Sequence, residues 1–164
     1  MAVGGVFLGL KHMELKRLRE EREWDAKKAT RKEVTAVRLR AYERLALMLE
    51  RTTPESMLMR LTADSQPALL SPKEVEVLLL TMIRAEYDHN MSQQVYVSQE
   101  LWDHIIFARE EMAAFVHNIA EHLPPDANGT QYATTLITAY TQNGTTPHQR
   151  VMEELKTELS RLVL

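Results

Sequence analysis

No glycine occurs between Gly9 and Gly129, so 119 consecutive residues lack the residue type that most readily permits turns. The prolines within this stretch stand only at positions 54, 67, 72, 124 and 125. A chain with so few turn-forming residues predicts helices that are interrupted at the prolines, because strands and tight hairpins need far more frequent turns. The predicted fold class is therefore all-α.

Hydroxyl residues placed directly before prolines predict where several helices begin. The hydroxyl can accept a hydrogen bond from a free backbone N–H of the first turn, and proline at the first helical position loses nothing by lacking its own N–H. Three such pairs occur: Thr53-Pro54, Ser71-Pro72 and Thr146-Pro147. The second and third continue into full capping boxes with Glu74 and Gln149.

Apolar periodicity completes the outline of the predicted bundle. The first helix should run from near residue 5 or 10 to about Arg51, followed by helices at about 54–62, 72–91, 99–122, 130–142 and 147–164. The helix at 72–91 is apolar on nearly every side, which predicts a central position. We expect an extended connection over 92–97, where β-branched and aromatic residues cluster. The architecture predicted is a long N-terminal helix running into a bundle of about four to five helices.

The first helix divides into a charged part and a core-forming part. Residues 19–33 carry eleven charges and have no apolar face to bury, which is typical of a helix that bridges solvent. Apolar residues then follow the helical period from Val34 and Val37 through Ala41, Leu45 and Met48, which predicts entry into the core from residue 34. The predicted organisation is an apolar leader at 1–10, a helical stalk at 11–33 and a bundle domain at 34–164.

Charge is distributed unevenly along the chain. Residues 1–51 hold 13 Lys and Arg against 8 Asp and Glu, whereas residues 52–164 hold 7 against 15. A basic segment joined to an acidic body indicates an anionic partner: a membrane surface, a nucleic acid or an acidic protein. The alternative is a solvated helix of mixed charge. Nucleic acid is disfavoured because the basic run has one aromatic residue, interspersed acids and no recognised binding module.

Residues 2–10 (AVGGVFLGL) carry no charge and are followed at once by basic residues, beginning with Lys11. A membrane span needs roughly 20 apolar residues, so this segment alone is too short. The segment could be a tip that enters the membrane interface, a loose chain end, or the C-terminal half of a transmembrane anchor. We favour the anchor, because the cationic residues that flank a membrane span normally stay cytoplasmic. The expected location is membrane-associated with most of the chain cytoplasmic; the alternative is a soluble cytoplasmic protein.

One motif could carry metal chemistry. Glu86 and His89 form the Glu-x-x-His pair that di-iron and di-manganese bundles use, and Glu110 and Glu111 could add carboxylates. Such centres need two pairs, and only one is present. There is no cysteine, no phosphate-binding glycine loop and no nucleophile motif. The sequence therefore disfavours an enzyme and predicts no cofactor, and a metal-binding helical-bundle enzyme is kept as the alternative.

Two segments carry a family resemblance. They are VRLRAYERLALMLERTTPESMLMRL, with Tyr42-Glu43-Arg44-Leu45, and IRAEYDHNMSQQVYVSQELWDHI, with Arg84-Ala85-Glu86-Tyr87 through Gln94. Over roughly residues 35–120 the chain resembles an uncharacterised bacterial family of small helical proteins. The resemblance implies an N-terminal membrane span, a charged linker and a helical cytoplasmic domain, and it implies no activity. This chain departs from that pattern in its short apolar leader.

These observations together predict a non-enzymatic interaction or scaffolding protein, held at the cytoplasmic face of a membrane by its N-terminus. A protein partner or a second copy of the chain could bind the helices. Pairing of the first helix with its own copy as a coiled coil is opposed by the broken apolar pattern at 19–33.

Overall fold

The computed structural model describes residues 12–142 and 144–162; residues 3–11 and 163 are described only as parts of the helices that contain them. Helices form nearly all of it: α1 (Val3–Arg51), α2 (Pro54–Asp64), α3 (Pro72–Asn90), α4 (Gln99–Glu121), α5 (Gly129–Gln142) and α6 (Pro147–Val163). Two 3₁₀ turns lie at Pro67–Leu69 and Met91–Tyr96. The described residues include no strand. The predicted all-α class, with a long N-terminal helix leading into a bundle, is confirmed.

The chain divides into two compact units, residues 1–38 and 39–164, with the boundary inside α1. In the first unit, almost every side chain from 12 to 38 is exposed. Val34 and Val37 remain 54% and 42% exposed, so the prediction that they enter the core was wrong. In the second unit, the buried part of α1 begins at Ala41. Periodicity identifies the apolar face of a helix, but it does not show over what length other elements cover that face.

The predicted caps form as hydrogen bonds. The Thr53 hydroxyl accepts from the Ser56 amide at 3.4 Å. At the start of α3, the Ser71 hydroxyl accepts from the Glu74 amide, and the Glu74 carboxylate accepts from the Ser71 amide. Thr146 and Gln149 make the same reciprocal pair at the start of α6. These bonds satisfy N–H groups that the first turn of a helix leaves free, and they explain why the starts could be located from sequence.

The extended connection predicted over 92–97 was wrong. Met91 keeps right-handed helical backbone angles after α3 ends, and a 3₁₀ turn continues to Tyr96. Val97 and Ser98 are extended, and Ser98 then caps α4 through the Leu101 amide. Local hydrogen bonding that continues from the end of α3 thus outweighs the strand preference of this β-branched and aromatic segment.

The 39–164 unit has two apolar clusters, and α4 contributes to both. One cluster joins α1, α4 and α6 through the following buried residues: Tyr42, Leu45, Met48, Leu49, Leu101, Trp102, Ile105, Ala108, Val151 and Leu155. The other joins α2, α3, α4 and α5 through Met57, Leu58, Leu61, Val75, Leu79, Ile83, Met112, Val116, Tyr132 and Leu136. The central helix is therefore α4. The central position predicted for α3 was wrong, because Val77 and Leu78 on its outer side remain exposed.

Candidate functional site

A cleft of about 410 Å³ lies between the last turns of α1 and the second half of α3. Arg44 and Arg51 stand seven residues apart on α1, which places them two turns apart on the same side of the helix. Glu86 and His89 line the opposite wall from α3. Leu47 and Met48 add apolar surface between the two arginines. All these residues belong to the 39–164 unit.

Glu86 is held by two arginines from two helices. Its Oε1 atom lies 2.5 Å from Arg51 Nε and 3.0 Å from Nη1 of Arg60 on α2. Arg60 also donates from Nη2 to the Arg51 backbone carbonyl, at 2.5 Å. The Glu86 side chain is largely buried, whereas those of Arg51 and Arg60 are partly exposed. The carboxylate therefore acts as an anchor that draws the arginines together and leaves some of their N–H groups at the surface.

His89 faces the third arginine. Nη2 of Arg44 lies 3.0 Å from His89 Nε2. A guanidinium group can only donate, so Nε2 accepts in this contact. Three guanidinium groups and one carboxylate leave the cluster with a formal charge of +2. The cluster has the chemistry of an anion-binding surface, because arginine presents its donors in a fork that matches carboxylate and phosphate oxygens.

Of the four residues predicted as metal ligands, only Glu86 and His89 line the same cleft. Glu86 and His89 contact arginines, as described above, while Glu110 pairs with its neighbour Arg109 at 3.2 Å and Glu111 is exposed on α4. Within 12–142 and 144–162, no group of three or more His, Asp or Glu residues is arranged to hold a metal ion. The Glu-x-x-His metal site remains a prediction, and in the arrangement described Glu86 makes ion pairs while His89 makes a hydrogen bond to Arg44.

A second ionic cluster encloses a carboxylate between α3 and α4. The Glu76 side chain is only 2% exposed, with Oε1 2.8 Å from His117 Nδ1 and Oε2 2.8 Å from Lys73 Nζ. Burial raises the pKa of Glu76, but the hydrogen bonds from Lys73 and His117 outweigh it and hold the pKa below its usual value. Burial raises the pKa of the nearby Tyr132 hydroxyl, and the negative charge of Glu76 raises it further. This cluster joins two helices through a charged, paired carboxylate.

A third feature is the buried ring of His148 at the start of α6. It lines a groove of about 890 Å³ together with Glu50, Glu55 and Tyr140. The Thr52 hydroxyl donates to the Met48 carbonyl, so its oxygen accepts from His148 Nε2 at 3.0 Å. Within the described part of the chain, Nδ1 has no hydrogen-bond partner. Burial lowers the pKa of His148 to about 4, which keeps the ring neutral near pH 7.

Sequence reasoning singled out Glu86 and His89 but missed their partners. Arg44 and Arg51 share one side of α1 by their spacing, which is visible in the sequence, yet no pattern indicates that α3 lies against that side. Lys73 stands three residues before Glu76 on α3, so that pair could have been read from the spacing. The contact with His117 could not, because it depends on how α3 and α4 pack. His148 follows directly after the Thr146-Pro147 start of α6, and nothing in the sequence marks it as buried.

These features define an all-α protein with a charged, exposed helical segment, a two-cluster helical body and a cationic cleft in that body. A family model matches residues 1–162 and describes a family of unknown function, DUF7935. Because the match covers nearly the whole chain, the protein belongs to that family. The expectation of an uncharacterised family is thus confirmed. No curated protein matches the chain, and neither does any solved structure.

The expected membrane anchor was placed at residues 1–10, which lie outside the residues whose side chains are described. Among the helices as far as they are described, none combines the length and the apolar character that a membrane span requires.

Proposed function

We propose that the chain is a non-enzymatic interaction or scaffolding protein whose N-terminal segment holds it at the cytoplasmic, anionic face of a membrane. One observation carries the proposal: an uncharged apolar stretch at 2–10 is followed at once by a basic helical segment whose side chains are exposed. Apolar residues that enter the interface and cations that meet anionic headgroups act together, and two such signals are needed for stable attachment.

The exposed segment has the side chains that such attachment uses. Lys16, Arg17 and Arg19 are all exposed, and so are the large apolar residues Leu15 and Leu18 beside them. Each basic residue near an anionic surface contributes about 1 kcal/mol to binding. The interspersed acids weaken this attraction, so the apolar leader has to supply part of the binding free energy.

The ionisable clusters of the body support a binding role over catalysis. Glu76 is held by Lys73 of its own helix and by His117 of α4. Glu86 is held by Arg51 of α1 and Arg60 of α2. The His104 ring lies 2.6 Å from Glu154 between α4 and α6. In such arrangements the charged groups stabilise the packing of helices. The body would then present a fixed surface to a partner while the N-terminus sets its location.

Co-sedimentation of the full chain with lipid vesicles tests the proposal. We expect binding to vesicles of phosphatidylcholine mixed with phosphatidylglycerol and much less to phosphatidylcholine alone. Replacing Lys16, Arg17 and Arg19 with glutamine should weaken binding by at least about tenfold, since three favourable charges of about 1 kcal/mol each are lost. The matched control replaces three exposed cations of α6 with glutamine: Arg150, Lys156 and Arg161.

A second arm tests the leader by replacing Phe7 and Leu8 with aspartate, which should also reduce binding. Equal loss of binding in the α6 control would show a general charge effect and would contradict attachment through the N-terminus. Absence of wild-type binding to the anionic vesicles would contradict the membrane part of the proposal altogether.

A further inference from the structure

We propose that the cleft between α1 and α3 binds the dianionic phosphate of a phosphate monoester, with Arg44 and Arg51 as its principal donors. This site lies wholly in the 39–164 unit and does not depend on the N-terminal segment. It is a binding site, with no reaction assigned to it.

Charge is the first argument. The cluster carries +2 after Glu86 has neutralised one of three guanidinium groups and His89 has accepted a hydrogen bond from Arg44. A phosphate monoester carries about −1.5 to −2 near pH 7 because its second pKa is about 6. A sulfate monoester or a carboxylate carries only one negative charge. A dianion therefore matches the cluster, and a monoanion leaves an uncompensated positive charge.

Donor geometry is the second argument. Each guanidinium group has five N–H donors, and the Arg44 and Arg51 side chains each use one in the hydrogen bonds described above. Arg60 uses donors on Nε, Nη1 and Nη2 for the Ser56 carbonyl, Glu86 and the Arg51 carbonyl. Arg60 thus acts as a brace, and the donors still available for a ligand belong mainly to the two α1 arginines.

The shape and lining of the cleft supply the third argument. Its volume of about 410 Å³ is suited to a small ligand, because ligand sites usually measure about 300–1,000 Å³. Leu47, Met48 and Ala85 give it an apolar part beside the cationic one. Such a lining suits a ligand that has a nonpolar group attached to its phosphate. Phenyl phosphate is therefore a suitable probe, and phenyl sulfate is its singly charged counterpart.

Isothermal titration of the full chain with phenyl phosphate tests the site. We expect saturable one-to-one binding of phenyl phosphate at pH 7.5, where the phosphate carries close to two negative charges. Phenyl sulfate should bind more weakly. Arg44→Gln and Arg51→Gln should each reduce the affinity about tenfold, which corresponds to about 1.4 kcal/mol. The matched control is Arg40→Gln, which removes an exposed arginine of α1 four residues before Arg44.

Glu86→Gln provides the sharpest test, because the glutamine carbonyl oxygen can still accept hydrogen bonds from Arg51 and Arg60 while the negative charge that repels the ligand is removed. The cluster charge rises to +3, so we expect tighter binding of phenyl phosphate. If Glu86 instead coordinated a metal ion, the same substitution would remove a group that holds the metal. Circular dichroism of each variant verifies that it is folded. Glu86→Gln should raise the affinity for phenyl phosphate and Arg44→Gln should lower it, and a general loss of structure would not produce these opposite changes.

The phosphate could be part of a soluble molecule or of a lipid headgroup. Phosphatidic acid, a phosphate monoester, carries more negative charge than phosphatidylglycerol, so the basic N-terminal segment should also bind it more tightly. If the lipid reaches the cleft, Arg44→Gln should reduce the difference between the two kinds of vesicle. A difference that Arg44→Gln leaves unchanged, together with phenyl phosphate binding, indicates a soluble source. Absence of saturable phenyl phosphate binding, or equal loss of binding in Arg40→Gln, would overturn the proposal. The Phe7 and Leu8 variants should bind phenyl phosphate like the wild type.

Discussion

The body of this protein accommodates its buried ionisable side chains in two different ways. Glu76 stays charged because Lys73 and His117 approach its two oxygens, so its pKa is held below the usual value despite burial. His148 has no such charged partner, and burial drives its pKa down to about 4. The first arrangement stabilises the charged form and the second stabilises the neutral form. The two groups therefore titrate in the folded state at lower pH than they do in the unfolded chain.

We predict that His148 makes the folded state sensitive to mild acid. In the unfolded chain the ring takes up a proton near its usual pKa of 6.5, whereas in the folded chain it does so only near 4. The unfolded state thus binds more protons between these values, and the free energy of unfolding falls as pH decreases, by up to about 1.4 kcal/mol per pH unit. Above pH 6.5 this contribution is fully present.

Urea unfolding at several pH values between 7.5 and 4.5 measures this effect. The variant His148→Gln has no titrating ring at this position, so its stability should depend less steeply on pH over the same interval. The same steepness in both proteins would show that His148 does not control the acid sensitivity.

The candidate site illustrates what a sequence can and cannot predict at the scale of residues. Glu86 and His89 could be assigned to one side of a helix from their spacing alone. Their partners Arg44, Arg51 and Arg60 lie 26 to 45 residues away along the chain. Which helices approach each other is set by the packing of two apolar clusters, and local spacing does not encode it. For that reason a metal pair was considered where the structure shows arginine contacts.

At the scale of elements, α5 begins where there is no space for a side chain. The Gly129 amide donates to the Leu70 carbonyl at 2.8 Å. A Cβ atom added at Gly129 would lie 2.4 Å from the Pro67 carbonyl oxygen and 2.7 Å from a methyl carbon of Val75. Both distances are far shorter than van der Waals contact, and the first involves backbone that cannot move aside easily. The glycine thus permits the close approach of α5 to the 3₁₀ turn and α3.

We therefore predict that Gly129→Ala destabilises the protein by about 1–3 kcal/mol, the usual cost of forcing an extra methyl group into a packed site. The neighbouring variant Thr130→Ala, at an exposed position, should change stability by less than about 0.5 kcal/mol. Chemical denaturation measures both. If Gly129→Ala is as stable as the wild type, the close packing described for α5 is wrong.

Glu158 of α6 connects three elements through its carboxylate. Its Oε1 atom accepts from the Tyr42 hydroxyl of α1 at 2.5 Å and from the Ser98 amide at 2.9 Å, and Oε2 accepts from the Ser98 hydroxyl at 2.6 Å. Ser98 is the residue that caps α4. The carboxylate therefore couples the start of the central helix to both α1 and α6.

Glu158→Ala should lower the free energy of unfolding by about 2–4 kcal/mol, because hydrogen bonds to a charged group are worth about 1.5–3 kcal/mol each and are not additive. Glu153→Ala on the same helix is the control, since Glu153 pairs with Lys156 at an exposed site, where ion pairs contribute about 0–1 kcal/mol. Thermal and urea unfolding compare the two. Equal effects would show that Glu158 does not connect these elements.

The positions of the helices could largely be predicted, because caps and prolines act locally. The burial of their side chains could not be predicted in the same way. The starts at Pro54, Pro72 and Pro147 follow from a hydroxyl before a proline, which is a property of adjacent residues. The exposure of Val34 depends instead on which side chains the neighbouring elements cover. The 3₁₀ turn after α3 depends on how the backbone continues from the preceding helix. Apolar periodicity carries neither kind of information.

In the whole molecule, we propose that the N-terminal segment sets the location and that the 39–164 unit binds the ligand. The charge asymmetry of the sequence agrees with this division, since the first 51 residues hold most of the cations. The two assignments are independent, because the arginine cleft lies in one compact unit and the exposed basic segment begins in the other.

Fractionation of cells that express the chain from its native locus tests whether the N-terminal segment attaches the protein to a membrane. We expect the wild-type protein to sediment with membranes. The variant with Lys16, Arg17 and Arg19 replaced by glutamine should shift toward the soluble fraction, whereas the α6 control should not. A wild-type protein found entirely in the soluble fraction would contradict attachment at the membrane.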